Sequence, residues 1–419
     1  MKKNLSKTDP KIAKLIQKES GRQQDTLMMI PSENYTSPSV REAVGSILIH
    51  KYAEGYPTKR YYQGQEFVDQ IENLARERAK KLFKVEHVNV QPYSGSPANT
   101  AVFFALLENG DKVMGLKLDH GGHLTHGHPK VTFSGKYFNS VPYLAAEDGQ
   151  LDYEQLAKIV KSEKPKLIVA GTTAYPRILN WKKFAEIADS VDAWLMADIS
   201  HIAGLVVAGA HPSPANFVHI ITTTTHKTLR GPRGAMIMVT KKGIKKDTDL
   251  AKKIDKAVFP GLQGGPHLHT IAGIAVTLKE ADTAKFKKYG QQVVKNAKVL
   301  AEELKKQGFK IVTDGTDNHL MVVDLRESGI LGKDAAIMLE KAGIVLNYNT
   351  IPFDPNPPFN PSGIRLGTPA LTTRGMKEKE MKKIAVWIGE VIKSKGKTSV
   401  FKKVKEEVKK LCQKFPLDF

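Results

Sequence analysis

Residues 218–240 read VHIITTTTHKTLRGPRGAMIMVT and hold the most informative pattern in the chain. The β-branched run from Val218 to Thr225 predicts a buried strand, and residues 235–240 predict a second strand after a Gly-Pro-Arg-Gly turn. Lys227 stands directly after the first strand. Burial and nearby cations lower the pKa of such a lysine and expose a free amine, which can hold an aldehyde cofactor as a Schiff base. For this motif alone, a solvated lysine at a strand end is the alternative.

A second apolar segment, residues 193–197, predicts another buried strand that ends in Asp198, with His201 three residues later. The carboxyl ends of strands in an open α/β sheet face the crevice where ligands bind. A carboxylate there, opposite a lysine, suits pyridoxal phosphate (PLP), because it pairs with the pyridine nitrogen and keeps that nitrogen protonated. Taken alone, Asp198 is better explained as a cap of the following turn.

The segment YSGSPANT, residues 93–100, predicts the start of a helix. Pro97 falls in the first turn, where its missing N–H group costs nothing. The free N–H groups and the dipole at a helix N-terminus bind phosphate, although an ordinary capped helix has the same pattern. Ser96, Asp198 and Lys227 each lie beside a βα unit, and together the three features favour a PLP site.

The composition is typical of a globular enzyme. The chain has 419 residues, 41% of them hydrophobic, which is enough for two or three domains with a large core. Its single cysteine, Cys412, forms no internal disulfide, and the basic N-terminal segment lacks the apolar core of a signal peptide. No apolar run reaches the roughly 20 residues that a membrane helix needs. We therefore expect a cytoplasmic protein that does not contact the membrane.

The formal net charge of +21 raises the alternative of a nucleic-acid-binding protein. The excess is mostly scattered lysine, as in residues 401–408, where apolar residues spaced by three and four predict an amphipathic helix with a solvated basic face. The sequence contains no zinc-finger or aromatic RNA-binding motif. Only weak, non-specific binding to nucleic acid is therefore expected.

Four histidines have a spacing that a metal ion could use: His120, His123, His126 and His128. Zinc sites need three or four converging ligands with oriented neighbours. Glycines at 121, 122 and 127 separate these histidines, as expected of a loop that approaches a flat cofactor. We expect no metal.

The order of predicted elements indicates an α/β fold. Residues 66–83 predict an amphipathic helix, and strands are predicted at 112–115, 167–171, 193–198, 218–223 and 235–240. This alternation predicts a mostly parallel central sheet with helices on both faces. A lysine-rich helix at 285–306 leads to a smaller C-terminal α/β domain, with strands at 319–324 and 344–347 and a proline-rich loop at 352–361. The expected division is an N-terminal arm (1–50), a large PLP-binding domain (51–280) and a C-terminal small domain (281–419).

Motifs along nearly the whole chain resemble those of the serine hydroxymethyltransferase family, PLP-dependent transferases of fold-type I. Besides the Lys227 motif, the matching segments are PSENYTS (31–37), KYAEGYP (51–57), RYY (60–62), HGGHLTHG (120–127), FPGLQGGP (259–266), GTDNHL (315–320) and SGIRLGTPA (362–370). The resemblance implies reversible conversion of L-serine and tetrahydrofolate to glycine and 5,10-methylenetetrahydrofolate. It also implies a homodimer, or a tetramer, with active sites shared between subunits. The alternative is a folate-independent β-hydroxy amino acid (threonine-type) aldolase on the same fold, which would not need Glu54, Tyr61 or Asn349.

The resemblance implies cofactor roles for individual residues. Lys227 would carry PLP covalently, Asp198 would hold its ring nitrogen, and His123 would lie against the ring. The other implied contacts are Ser94, Gly95, Ser96 and His226 at the phosphate, Thr173 and His201 at the phenolic oxygen, and Tyr52 and Gly265 from the neighbouring subunit. Thr224 is expected among the catalytic residues, and His226 is expected to influence specificity.

Substrate and folate contacts are implied in the same way. Arg365 would clamp the substrate carboxylate, since a planar guanidinium binds a carboxylate through two parallel hydrogen bonds. Ser32, Tyr62 and His201 would lie beside the substrate, and Glu54 is the acid–base candidate. Folate would contact Glu54, Tyr61, Leu118, Gly122, His123, Leu124, Asn349, Pro357, Pro358 and Phe359. Three positions depart from residues common in the family: Thr173 replaces Ser, Pro97 replaces Gln and Leu262 replaces Gly.

Overall fold

The computed structural model describes residues 2–418. Its helices are α1 (Lys2–Thr8), α2 (Pro10–Asp25), α3 (Pro38–Val44), α4 (Glu66–Phe83), α5 (Gly95–Leu106), α6 (Phe133–Lys136), α7 (Tyr153–Glu163), α8 (Trp181–Asp189), α9 (Ala203–Val207), α10 (Lys241–Lys246), α11 (Leu250–Lys256), α12 (Leu268–Ala281), α13 (Ala284–Lys306), α14 (Gly332–Lys341), α15 (Pro369–Thr373), α16 (Glu378–Lys393) and α17 (Thr398–Lys414). Its strands are β1 (Leu27–Met28), β2 (Gly55–Tyr56), β3 (Lys59–Arg60), β4 (His87–Asn89), β5 (Lys112–Gly115), β6 (Asn139–Ser140), β7 (Leu167–Gly171), β8 (Trp194–Asp198), β9 (Ile220–Thr224), β10 (Ala235–Val239), β11 (Lys310–Ile311), β12 (Leu320–Asp324), β13 (Ile344–Val345), β14 (Asn347–Asn349) and β15 (Gly363–Gly367).

A seven-stranded sheet in the order β4-β10-β9-β8-β7-β5-β6 forms the centre of the molecule. Strands β9, β8, β7, β5 and β6 are parallel to one another, and β10 runs antiparallel to both β9 and β4. The prediction of a mostly parallel sheet is therefore confirmed. The sequence-predicted strands at 112–115 and 167–171 and the helix at 66–83 have the predicted bounds, because each is an apolar or amphipathic run that ends at a polar or turn-forming residue.

Helices cover both faces of this sheet. Along β7, Ile168 and Ala170 pack into one apolar cluster while Leu167 and Val169 pack into another. Alternate residues of a strand point to opposite faces, so the two clusters lie on opposite sides of the sheet. One cluster includes α4, α8 and α12, and the other includes α5 and α11.

A second, antiparallel sheet of four strands, in the order β11-β12-β15-β14, lies in the C-terminal part of the chain. Its apolar cluster includes residues of α13, α14, α16 and α17. The N-terminal segment joins this part of the fold, since β1 pairs in parallel with β13. Within residues 2–418, no helix combines the length and the apolar character needed to cross a membrane.

Candidate active site

The predicted lysine and aspartate lie at the same edge of the central sheet. Strands β8 and β9 are parallel neighbours, and Asp198 is paired in register with Thr222. Asp198 is the last residue of β8, and Lys227 follows β9 by three residues. Both side chains therefore belong to the carboxyl ends of adjacent strands, where α/β sheets bind ligands.

Asp198 is held by a buried hydrogen-bond network. Its Oδ2 accepts from His126 Nε2 and Asn99 Nδ2, each at 2.9 Å, and its Oδ1 accepts from the Ser200 N–H at 3.0 Å. Burial opposes ionisation of this carboxyl, whose side chain is 9% exposed, but these donors outweigh it and hold the pKa of Asp198 well below its ordinary value. Asp198 is thus an anion at neutral pH, and Oδ1 can accept a further donor.

Lys227 is a half-buried amine whose Nζ makes no hydrogen bond or ion pair within residues 2–418. Burial lowers its pKa to about 8; the negative charge of Asp198 opposes this shift, and the positive charge of Arg365 adds to it. At pH 7, roughly one molecule in ten then carries the neutral amine, several hundred times more than for an ordinary lysine. The side chain has the properties that a Schiff-base nucleophile requires.

The start of α5 forms the phosphate turn, defined here as residues 94–96. Ser94 occupies the cap position without a side-chain capping bond. The first N–H groups of the helix therefore remain free to donate to a ligand. A Cβ on Gly95 would lie 2.8 Å from Thr224 Cγ2, which explains why only glycine fits there. The turn therefore lies against the end of β9, which Lys227 follows by three residues.

His123 and His201 are neutral at pH 7. Burial lowers the pKa of His123 to about 4, with a smaller contribution from the charge of His126. Burial also holds the pKa of His201 well below its ordinary value, and the His201 Nδ1 lies 3.2 Å from His319 Nε2. Neutral rings of this kind can lie against a flat cofactor without charge repulsion.

Thr173 and Arg365 meet beside these histidines. The Arg365 guanidinium donates to the Thr173 carbonyl at 2.7 Å and to Asn347 Oδ1 at 3.0 Å. Burial lowers the pKa of Arg365 to about 10, so the group stays positively charged at neutral pH. Its Nη2 makes no hydrogen bond within the described chain and can bind an anion. The Thr173 hydroxyl donates to the Gly122 carbonyl at 2.6 Å.

A cavity of about 320 Å³ separates the N-terminal segment from the Lys227 loop, and Ser32, His226 and Arg233 line it. Burial lowers the pKa of His226 to about 3, and its Nε2 lies 3.1 Å from Arg233 Nη1. In the part of the chain that the structure describes, no hydrogen bond joins Ser32 to Arg365. Ser32 and His226 thus line the same cavity.

Glu54 is half-buried and belongs to a separate group of side chains, whose members Tyr52, Tyr61 and Tyr62 are exposed. Tyr52 donates to Glu54 Oε1 at 3.3 Å, and the rings of Tyr52 and Tyr62 meet edge to face at 5.2 Å. A Cβ on Gly265 would touch the Tyr52 ring, and Tyr61 lies edge to face with Phe259. Among residues 2–418, no hydrogen bond, ion pair or ring contact joins Glu54 to Lys227, Asp198 or Arg365. One chain alone therefore does not assemble all of the predicted site.

Some of the predicted folate residues come together. Leu118, His123 and Pro358 line a cavity of about 200 Å³ next to His126. Gly122 lies against this wall, because a Cβ there would be 1.8 Å from the Leu116 carbonyl oxygen. The structure does not bring the remaining predicted folate contacts to the lining of this cavity: Glu54, Tyr61, Leu124, Asn349, Pro357 and Phe359.

Two of the four histidines with a possible metal-binding spacing already make other hydrogen bonds. His126 binds Asp198, and His120 Nδ1 accepts from the Ala145 N–H at 3.2 Å. Within residues 2–418, no three His, Cys, Asp or Glu side chains converge in a way that could hold a metal ion.

The sequence analysis missed the residues behind Asp198. Asn99 also donates to Thr125 Oγ1 and accepts from the Thr222 hydroxyl, each at 2.8 Å. A buried asparagine inside an apolar helix is unusual, and this feature of residues 95–106 could have pointed to a polar partner.

These features fit PLP. The chain offers a partly accessible amine, an ionised carboxylate with one oxygen free to accept, and an open helix N-terminus, each on a different element at one sheet edge. Those are the three anchors that the aldehyde, the ring nitrogen and the phosphate of PLP require.

Comparison with known proteins agrees with this chemistry. A family model described as serine hydroxymethyltransferase matches residues 5–388. Serine hydroxymethyltransferase of Acidothermus cellulolyticus is 55% identical over 419 aligned residues, covering 98% of this chain and 96% of the relative. Serine hydroxymethyltransferase of Desulfotalea psychrophila is 55% identical over 412 residues, covering 98% and 95%. The half-buried lysine, the ionised aspartate and the phosphate turn thus lie in a chain that belongs to the serine hydroxymethyltransferase family.

Proposed function

We propose that this enzyme interconverts L-serine and glycine, with tetrahydrofolate as the one-carbon carrier and PLP held covalently on Lys227. The observation that supports this best is that a half-buried, partly neutral amine and an ionised Asp198 lie at the carboxyl ends of adjacent parallel strands. A cytoplasmic location is proposed with it, since a chain with one cysteine forms no internal disulfide.

PLP supplies an electron-accepting ring that takes up the electron pair released when a bond to the Cα atom of the amino acid breaks. Asp198 keeps the ring nitrogen protonated, and His126 and Asn99 keep Asp198 ionised. The phosphate turn and His226 would hold the phosphate of PLP. His123 would lie against its ring, and Thr173 and His201 would hold its phenolic oxygen.

Arg365 binds the carboxylate of the amino acid. Its Nε and Nη1 are fixed by Asn347 and by the Thr173 carbonyl, which leaves the Nη2 edge free to bind and holds it in one orientation. A fixed carboxylate also fixes the rotation of the amino acid about its Cα atom, and this orientation decides which bond is broken.

Glu54 is proposed to exchange a proton with the serine hydroxyl, with Tyr62 and the folate beside it. The tyrosines beside Glu54 are exposed, and Glu54 makes no contact with Lys227 in its own chain. We therefore propose a homodimer in which the segment carrying Tyr52, Glu54, Tyr61 and Tyr62 completes the site of the partner subunit, and in which Gly265 approaches the partner's phosphate.

The cofactor assignment is tested by borohydride reduction. The purified enzyme should absorb visible light, and peptide mapping after reduction should place the cofactor on Lys227. Lys227→Ala serves as the control and should remain unlabelled. A label on another lysine would refute the assignment.

The roles of Glu54 and Arg365 are separated by two measurements on the same variants. Glu54→Gln should bind glycine normally in a spectral titration and lose most of the serine-to-folate transfer, since general acid–base help contributes roughly 10²–10⁴-fold. Arg365→Ala should weaken glycine binding itself. Full transfer activity in Glu54→Gln would instead show that Glu54 is structural and that another group, with Tyr62 the next candidate, relays the proton.

A further inference from the structure

Arg60 is a buried arginine at the end of the β2–β3 hairpin, next to the segment that carries Glu54. Its side chain is only 2% exposed. The guanidinium donates through Nη1 to the carbonyl oxygens of Ala53 and Gly55, at 2.9 and 2.8 Å. These two carbonyls stand immediately before and after Glu54 in the chain.

The main chain around Glu54 is thus held at three successive carbonyls. Besides the two bonds from Arg60, the Glu54 carbonyl accepts from the Tyr61 N–H at 3.1 Å. The Gly55 carbonyl accepts a second bond, from Gln91 Nε2 at 3.0 Å. The Glu54 side chain, by contrast, makes one long hydrogen bond, which it accepts from Tyr52 at 3.3 Å. Its position is therefore decided by the backbone that carries it.

Arg60 is itself fixed by two carboxylates of α4. Nη2 donates to Glu72 Oε2 at 2.7 Å and Nε donates to Asp69 Oδ1 at 2.9 Å. Glu72 is 1% exposed; burial raises its pKa, and the charge of Arg60 opposes that shift. A buried ion pair adds little net stability, because desolvation of both charges offsets their attraction. What it does provide here is a fixed geometry between α4 and the hairpin.

We infer that Arg60 is a positioning residue for Glu54, an inference that rests on the acid–base role proposed above for that carboxylate. Arg60 bonds the carbonyls of Ala53 and Gly55 on one side and Glu72 on the other. It thereby holds the segment that carries Glu54, which serves the partner's site, in a fixed position relative to α4. Lysine cannot replace it, because a single ammonium group cannot bond two carbonyls and two carboxylates in the directions that a planar fork reaches.

The experiment uses the holoenzyme with Arg60→Lys. Serine-to-folate transfer should fall by about 10- to 100-fold, the effect expected when a catalytic group is displaced by about 1 Å. The affinity for glycine in a spectral titration should stay within about twofold of the parent, because Lys227, Asp198 and Arg365 do not contact Arg60. An equal fall in glycine affinity would show a general structural defect and overturn the inference.

Two further variants guard against simple misfolding. Arg76→Lys alters another arginine that bonds a backbone carbonyl, that of Val88, without contacting the Glu54 segment; it should keep transfer within about twofold. Glu72→Gln keeps the volume of the side chain but removes the charge that fixes Arg60. It should lower transfer less than Arg60→Lys does. Transfer at the parent level in both Arg60→Lys and Glu72→Gln would refute the positioning role.

A double variant connects the effect to Glu54. If Arg60 acts through that carboxylate, Arg60→Lys should change transfer by less than about twofold in the Glu54→Gln background, since coupled residues are not additive. The same loss in both backgrounds would overturn the inference. If Glu54→Gln alone keeps full transfer, the proposed role of Glu54 fails, which is a separate outcome from the failure of Arg60→Lys.

Hybrid dimers show which site the segment serves. In a dimer of an Arg60→Lys subunit with a Lys227→Ala subunit, the one site with Lys227 receives its Glu54 segment from a chain with normal Arg60. Mixing the two variants should therefore restore transfer well above that of either alone. No recovery despite demonstrated subunit exchange would mean that Arg60 does not act across the subunit boundary.

Discussion

Replacing Lys227 with methionine should stabilise the cofactor-free protein while abolishing activity. Methionine keeps an unbranched apolar chain and removes the amine. Burial lowers the pKa of Lys227 from its ordinary 10.5 to about 8. At about 1.4 kcal/mol per pH unit, that difference corresponds to about 3 kcal/mol. The free energy of unfolding at pH 7 is lower by this amount, because the folded protein holds a charged amine in this position.

The gain should depend on pH in a defined direction. Between about pH 8 and pH 10.5 the unfolded chain still binds the Lys227 proton while the folded protein has released it. The free energy of unfolding of the parent therefore rises with pH in this window relative to the variant. The advantage of Lys227→Met should be complete below about pH 8 and should vanish as pH approaches 10.5.

Urea denaturation followed by tryptophan fluorescence at pH 7, 8.5 and 10 measures this difference in cofactor-free samples. Lys402→Met, an exposed change on α17, is the control and should alter the free energy of unfolding by less than about 0.5 kcal/mol at every pH. The reasoning would be refuted if Lys227→Met were no more stable than its parent at pH 7, or if the difference in their free energies of unfolding did not change with pH.

Three other changes have defined outcomes. The Arg374 guanidinium donates to five carbonyl oxygens at the ends of α2 and α17, so Arg374→Ala should lower the free energy of unfolding by about 3 kcal/mol in urea and open α2 to limited trypsin digestion. A Cβ on Gly171 would lie 2.7 Å from Asp198 Cβ, so Gly171→Ala should weaken PLP binding at least about tenfold in a fluorescence titration. His319→Gln keeps an amide that can hydrogen-bond to His201 and should preserve the parent absorption spectrum of the holoenzyme, whereas His319→Met removes this polar partner and should shift the spectrum.

Much of the large sheet could be predicted because each strand is a short apolar run with turn residues at both ends. Strands β5 and β7 are examples. The segment 344–347 was predicted as one strand, but it is divided: β13 pairs with β1 and β14 pairs with β15. Residue patterns do not show which distant segment a strand will join, so the interruption at Leu346 could not be seen.

In the candidate site, too, some residues could be predicted from local sequence patterns and others could not. Lys227, Asp198 and the phosphate turn each have a local signature, a strand end or a helix start. The contact between Asn99 and Asp198 joins residues that are 99 positions apart, and only the folded chain brings them together. Arg60 was visible in the sequence only as part of a matching motif, because its role depends on carbonyl groups, which no side-chain pattern reveals.

The pairing of β1 with β13 has a consequence for the order of synthesis. Leu27 and Met28 leave the ribosome early, but their partners, Ile344 and Val345, are made more than 300 residues later. At about 5–20 residues per second, the first strand waits roughly 15–60 s without its partner. Through that interval β1 is unpaired, and the nearby apolar residues Ile12, Leu15 and Ile16 of α2 are exposed. A chaperone would therefore be most useful to this short stretch of the growing chain.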